Sequence, residues 1–392
     1  MKNKILCVLL SLVLCTAFVG CVQPTPSQDP TLNEQVDTSR TQLYVFNYGG
    51  GYGSEWLRAV KTRYEALHAE DVYEPGKKGV QIIIEHKKQS LNGTEIKVSQ
   101  NDVFFTEGVN YYSLYNDGAL LDLTDALEKP LSDLDADDNE SVLDKFFPEQ
   151  ADYFGIEEEG ETRYYAVPHY ASYYGVIYNV DLFDSEGYYF ADNQDNYLES
   201  GDLEDKFITR MNSKKAAGPD GEYGTSDDGL PVTYEQFFEL CRYIVKTGGL
   251  PLNWTGSNYR DYLNSLMFSF VVDYEGKESM MKNYTFTGTA DNLGRVDAQG
   301  QFIYDSTPTQ ISAENGNELY RSDSRYYALE FLQQLCMDDA EHNAYHNNFT
   351  FNGNYSHMDA QTDFLYAGID GETPKTAMLI DGVWWQMEAV ST

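Results

Sequence analysis

The chain has 392 residues, 63 of them acidic and 27 basic, for a formal net charge of −36. Phosphate backbones and anionic lipid headgroups are bound by basic faces, so the composition argues against nucleic acid as a partner and against direct contact with headgroups. Its 32 Tyr, against 20 Phe and 4 Trp, are rings with a polar tip, which suit either an amphipathic ligand such as a sugar or simply a Tyr-tolerant extracellular surface.

Lys2 and Lys4 precede the apolar run Ile5 to Val19, and Phe18-Val19-Gly20-Cys21 is a small-residue cleavage site ending in cysteine. The run falls short of the roughly 20 residues a spanning helix needs, so residues 1–20 read as a signal peptide. This segment resembles a bacterial lipoprotein signal. The resemblance implies cleavage before Cys21, a diacylglycerol on its sulfur, and an extracytoplasmic protein anchored to the cell membrane by lipid. Residues 21–40, with Pro24, Pro26 and Pro30, read as a disordered tether reaching roughly 20–25 Å. The remaining body is too long for one ordinary core, which predicts two domains.

Leu43-Tyr44-Val45-Phe46 is a continuous apolar run, as for a strand buried on both faces of a parallel sheet. Tyr48 to Gly53 then form a glycine-rich loop. Ser54 is the expected N-cap of a helix bearing Trp56, Leu57, Val60, Tyr64 and Leu67 at helical spacing. Val80 to Ile84 and Val103-Phe104-Phe105 are expected as further buried strands, with only weak helical periodicity in the link between Lys87 and Asn101. A loop, Thr106 to Asn110, leads to a short helical pattern stopped by Gly118. Thr233 is the expected cap of a helix carrying Phe237, Phe238, Leu240, Cys241 and Ile244, and another helix is expected over about 324–337. The apolar helical surroundings of Cys241 and Cys336 favour two buried thiols over a disulfide.

Residues 218–231, GPDGEYGTSDDGLP, offer Asp220, Glu222, Asp227 and Asp228 as hard oxygen ligands. The stretch is similar to a calcium loop of some secreted pseudopilins, and a solvated turn is the other reading. His342, His346 and His357 lack partners in a zinc spacing and read as surface residues. Serine-hydrolase, P-loop and zincin motifs are absent from the sequence.

Four motifs, in order, carry a wider resemblance: DVFFTEG at 102–108, DGALLDLT at 117–124, YAVPHYASYYGVIYNVDLF at 165–183 and KTAMLIDGVWW at 375–385. The chain resembles a family 1 extracellular solute-binding protein, the sugar-capturing lipoprotein of an ABC importer. The resemblance implies an α/β, two-lobe, periplasmic-binding-protein-like (type II) fold with a hinge and a ligand cleft. Residues 41–167 would be a first lobe, and 168–392 the hinge crossover and second lobe. Related chains run on past the tryptophan motif, so the C-terminal part and some of the first lobe's sheet are expected to be missing. A monomer is expected, with a carbohydrate and the ABC permease subunits as partners, no catalysis and no required cofactor. A secreted glycosidase or lyase using cleft carboxylates is the competing reading.

Carried onto these positions, the resemblance puts ligand contacts at strand ends. In the first loop Tyr48, Gly50 and Gly51 would contact ligand or form a plain turn. Glu107 and Asn110 would bind hydroxyls. Ser172 and Tyr173 would lie where the chain passes between lobes, and Trp384 would stack under a pyranose ring. Trp254 and Trp385 are either further platforms or packing residues.

Overall fold

The computed structural model describes residues 35–133, 137–192, 202–337, 345–369, 371 and 373–389. The signal peptide, Cys21, most of the tether and His342 lie outside these residues. Two compact units divide between Ala171 and Ser172, and both combine helices with β-sheet.

The first unit is built on a parallel sheet of β1 (Thr41–Tyr48), β2 (Val80–Lys87) and β3 (Val103–Phe105), in the order β2-β1-β3. β1 is central, which is why its apolar run is continuous: Val45 and Phe46 are buried. Val45, Ile82 and Ile84 pack with Leu57 from helix α1 (Glu55–Leu67). Each such side chain contributes roughly 1.5–3 kcal/mol on burial. Two expectations need correction. Val103, at the start of the three-residue strand β3, is exposed and not buried, unlike Val80, Ile82 and Ile84 on the other edge strand, β2. On α1 only Leu57 is buried, while Val60 and Leu67 face outward, and Ser54 makes no side-chain cap bond.

The link between β2 and β3 contains helix α2 (Gly93–Val98). It is too short to show a periodicity, and its signal is a capping box instead. The Asn92 side chain accepts the Glu95 backbone N–H, and the Glu95 carboxylate accepts that of Asn92. Beyond β3, Asn110 caps α3 (Tyr111–Asn116). A hairpin, β4 (Gly155–Glu158) with β5 (Glu161–Tyr164), leads into the crossover.

In the second unit β6 (Tyr174–Tyr178), α4 (Val180–Glu186), α5 (Tyr234–Lys246) and β7 (Leu250–Asn253) precede a long helix, α6 (Tyr259–Thr285), kinked at Gly276. Then come α7 (Asp323–Cys336), α8 (His357–Leu365), β8 (Thr376–Gly382) and a final turn of helix, α9 (Trp385–Ala389). The sheet order is β6-β8-β7, with β8 antiparallel to β6 and parallel to β7. Every residue of central β8 is buried. Leu240, Cys241 and Ile244 of α5 join Leu252, Leu335 and Ile380 in one large core. Thr233 caps α5 by accepting the Gln236 N–H. Cys241 and Cys336 are free thiols, both pushed up in pKa by burial, Cys336 to about 11. Among the described residues no helix is long and apolar enough to cross a membrane.

Candidate functional site

In the first unit the carboxyl ends of β1 and β3 gather an aromatic and acidic group. Trp56 meets Phe105 edge-on at 4.9 Å between ring centroids, and His169 lies 5.2 Å from Phe105 and 4.4 Å from Tyr170. Tyr52, from the glycine loop, lies 4.4 Å from Tyr170. The Tyr170 hydroxyl donates to the Glu107 carboxylate, and burial followed by this bond pushes the phenol's pKa far up. The neighbouring rings hold the His169 pKa below its ordinary value by desolvation. Chemically, this edge offers ring faces beside a carboxylate already fixed by a phenol.

Each residue singled out in this unit has a defined place. Gly50 lies against the ring of Tyr48, since a β-carbon there would sit 2.8 Å from Tyr48 Cε1. Gly51 holds φ at 55°, a left-handed conformation that favours glycine. Asn110 caps α3 through its side-chain Oδ1, which accepts the Ser113 N–H at 3.0 Å. Its side-chain NH2 is then the part left for a ligand.

The second unit presents its own cluster at the end of β8. The indole of Trp384 lies over Gly382, so close that a β-carbon on Gly382 would meet Trp384 Cζ3 at 2.1 Å. Tyr174 lies 6.3 Å from the indole at an interplanar angle of 31°, and its hydroxyl donates to the Tyr262 carbonyl at 2.8 Å. Trp384 itself is half-buried. Beneath this platform Asp381 is 2% exposed. Its Oδ1 accepts the Gly382 N–H at 2.7 Å and its Oδ2 accepts the Gln361 amide at 3.0 Å. Burial raises its pKa from 3.8 to about 6, against the lowering effect of those two bonds.

Ser172 and Tyr173 are exposed, Tyr173 at 75%, and the Tyr173 carbonyl accepts the Val383 N–H at 3.0 Å. Trp385 packs edge-on against Phe364 at 5.3 Å. Trp254 is a correction: it is 0% exposed, enclosed by His346 and Phe351, so its ring builds the core and offers no face to a ligand.

The acidic loop 218–231 turns its carboxylates onto its own backbone. Asp227 accepts the Asp220 N–H, Asp220 that of Glu222, and Asp228 that of Gly224. Among the described residues no group of three or more His, Cys, Asp or Glu side chains is arranged to hold a metal ion. A groove of about 500 Å³ lined by Tyr234, Arg242, Tyr274, Tyr327 and Glu330 lies among α5, α6 and α7, and none of the candidate ligand contacts named above lines it.

Tyr52, His169, Tyr170, Gln361 and Asp381 were not singled out from the sequence. Asp381 and Tyr170 do lie inside the motifs KTAMLIDGVWW and YAVPHYASYYGVIYNVDLF, whose aromatic and acidic letters were the available signal. His169 lies in the same motif as Tyr170 and Tyr52 in the glycine-rich loop Tyr48 to Gly53, whereas Gln361 had no signal beyond residue type.

The sequence pattern described as bacterial extracellular solute-binding protein matches residues 50–321. Among solved structures, the solute-binding protein RafE in complex with raffinose is similar at 13% identity and a TM-score of 0.44, over 89% of this chain and 64% of that one. The chain thus spans less than two thirds of that protein's length. No curated protein matches it.

Proposed function

The chain belongs to the bacterial extracellular solute-binding protein family, and from that membership we propose that it captures a carbohydrate outside the cytoplasm and hands it to the membrane subunits of an ABC importer. The observation that carries this reading is the half-buried indole of Trp384 laid flat over Gly382 at the end of β8. A flat, accessible aromatic face fixed from below is what the apolar C–H face of a pyranose stacks on. Tyr174 beside it extends the apolar surface.

Hydroxyl recognition falls to polar groups at strand ends. In the first unit these are Glu107, steadied by Tyr170, and the side-chain NH2 of Asn110. A carboxylate accepts from two sugar hydroxyls while an amide NH2 donates, which lets the pair discriminate among hydroxyl patterns. Binding requires no covalent chemistry. Cys21, as the acylated first residue of the mature chain, would keep the receptor at the membrane surface, with residues 22–40 as its leash.

The test is native mass spectrometry of the soluble body, residues 40–392, with a panel of mono- and oligosaccharides that includes raffinose, followed by recovery of the sugar. The reading predicts a saturable one-to-one complex with one sugar class and recovery of the sugar intact. Recovery of shortened fragments would make the protein a carbohydrate-active enzyme, and absence of any complex would remove the sugar reading.

A further inference from the structure

Gln361 is wholly buried on α8, and its single side-chain nitrogen donates to two carboxylates: Asp381 Oδ2 at 3.0 Å and Glu388 Oε2 at 3.0 Å. Asp381 closes β8 and Glu388 lies on α9, so one amide pins both ends of the short arch that carries Trp384. The arch is also tied within itself by the Gly382 N–H to Asp381 and by the Val383 N–H to the Tyr173 carbonyl.

We propose that Asp381, Gln361 and Glu388 form a proton-operated clasp that positions the Trp384 platform, so that a bound saccharide is held more weakly in acid.

The reasoning is one of donors and acceptors. Both Asp381 oxygens face N–H groups, from Gly382 and from Gln361. A proton on Oδ1 meets the Gly382 N–H and has the Tyr262 hydroxyl, at a long 3.5 Å, to turn to, whereas a proton on Oδ2 meets the Gln361 donor head-on. Oδ2 can keep its bond only if the Gln361 amide turns over and presents Oε1, which is buried and has no hydrogen-bond partner among the described atoms. That turn takes the nitrogen away from Glu388 and removes this tie from the far end of the arch.

The groups facing the clasp set its charge balance. Tyr262 of α6 approaches Asp381 Oδ1 at 3.5 Å, Tyr174 of β6 lies nearby, and both phenols stay neutral because burial raises their pKa values far above the ordinary one. His357 Nε2 is 3.8 Å from Glu388 Oε2 and pairs with it when protonated. None of the hydrogen-bond partners of Asp381 among the described residues is a cation. Asp381 and Glu388 thus repel each other across one neutral amide, which favours a proton on the more buried of the two.

The saccharide part rests on the proposed function; the clasp does not, and the experiment separates them. The protein, residues 40–392 with 5-fluorotryptophan in place of tryptophan, is followed by fluorine NMR from about pH 4 to pH 8, with the Trp384 resonance assigned by Trp384→Phe. Without any sugar present, the Trp384 signal is expected to titrate with a midpoint near 6, to keep that titration in His357→Asn, and to stay at its acid position throughout in Asp381→Asn. A Trp384 signal indifferent to pH, or one that titrates unchanged in Asp381→Asn, overturns the clasp. In a second arm the sugar that binds tightest in the panel is titrated at both pH limits. An affinity roughly tenfold lower in acid, lost in Asp381→Asn, supports the coupling, and equal affinities overturn it. Should no sugar bind, the first arm still decides the clasp.

Discussion

Gly382 carries the indole of Trp384 directly on its Cα, leaving 2.1 Å between a would-be β-carbon and the ring. Two residues apart at the end of a buried strand, they make a platform in which backbone supports the ring of a half-buried indole. Real β-carbons do not approach ring carbons so closely, so the platform requires glycine at this position.

Gly382→Ala is therefore expected to lift the indole from its seat while β8 stays in the sheet. Saccharide affinity should fall by roughly tenfold or more, about 1.4 kcal/mol or above, with a red shift of tryptophan emission. Calorimetric titration beside an emission spectrum checks both. An unchanged spectrum would mean that Trp384 does not need the glycine.

Tyr170 and Glu107 predict a separable effect. Tyr170→Phe removes the hydroxyl that steadies the carboxylate while keeping the ring against Tyr52 and His169. One lost hydrogen bond at a half-buried site should cost about 1 kcal/mol of stability. Glu107→Ala removes the same bond from its other end, so it should cost about as much stability, and it should in addition weaken sugar binding, which Tyr170→Phe should affect far less. Urea unfolding and binding titrations of both variants distinguish a steadying phenol from a contacting carboxylate.

The buried carboxyl of Asp381 gives stability a pH dependence of definite sign. Unfolded, the group titrates near 3.8, and folded near about 6. Between these values the folded chain holds a proton that the unfolded chain has released. Its favourable contribution is complete below the lower value and lost as pH rises through the upper one, a change of about 3 kcal/mol. Chemical denaturation from about pH 4 to pH 7 should show this decline in the wild type and a flatter profile in Asp381→Asn.

Leu240 is 0% exposed at the centre of the second unit's core. Leu240→Ala should cost about 2–5 kcal/mol through lost burial and the cavity left behind. Guanidinium unfolding followed by tyrosine fluorescence measures it, and a loss below about 1 kcal/mol would mean that the core closes over the gap.

The acidic loop 218–231 is closed by its own hydrogen bonds. Millimolar calcium is accordingly expected to leave the melting temperature unchanged, and a saturable rise would instead assign Asp220, Asp227 and Asp228 to an ion.

Local signals in the sequence were sufficient for several of these features. The run Leu43 to Phe46 reads as a strand buried on both faces because β1 is the central strand, and Thr233 with Phe238, Leu240, Cys241 and Ile244 reads as a capped amphipathic helix because cap and stripe lie within a few turns. Val103 looked buried because an apolar run has the same letters whether or not other elements cover its face. The platform residue Trp384 stood out by its motif, whereas its support did not. Gln361 meets Asp381 from another element, and Tyr170 meets Glu107 from beyond α3 and the β4–β5 hairpin, so neither pairing leaves a periodicity or a spacing to read. Trp254 shows the converse: residue type alone suggests a platform, and only the fold encloses the ring.

The central claim is that Trp384 is the floor of a sugar site, and it is tested most directly by calorimetric titration of the best-binding saccharide into wild type and Trp384→Ala. The account predicts saturable one-to-one binding in the wild type and an affinity at least roughly tenfold weaker in the variant, with melting temperatures of the free proteins within a few degrees. Equal affinities would contradict it.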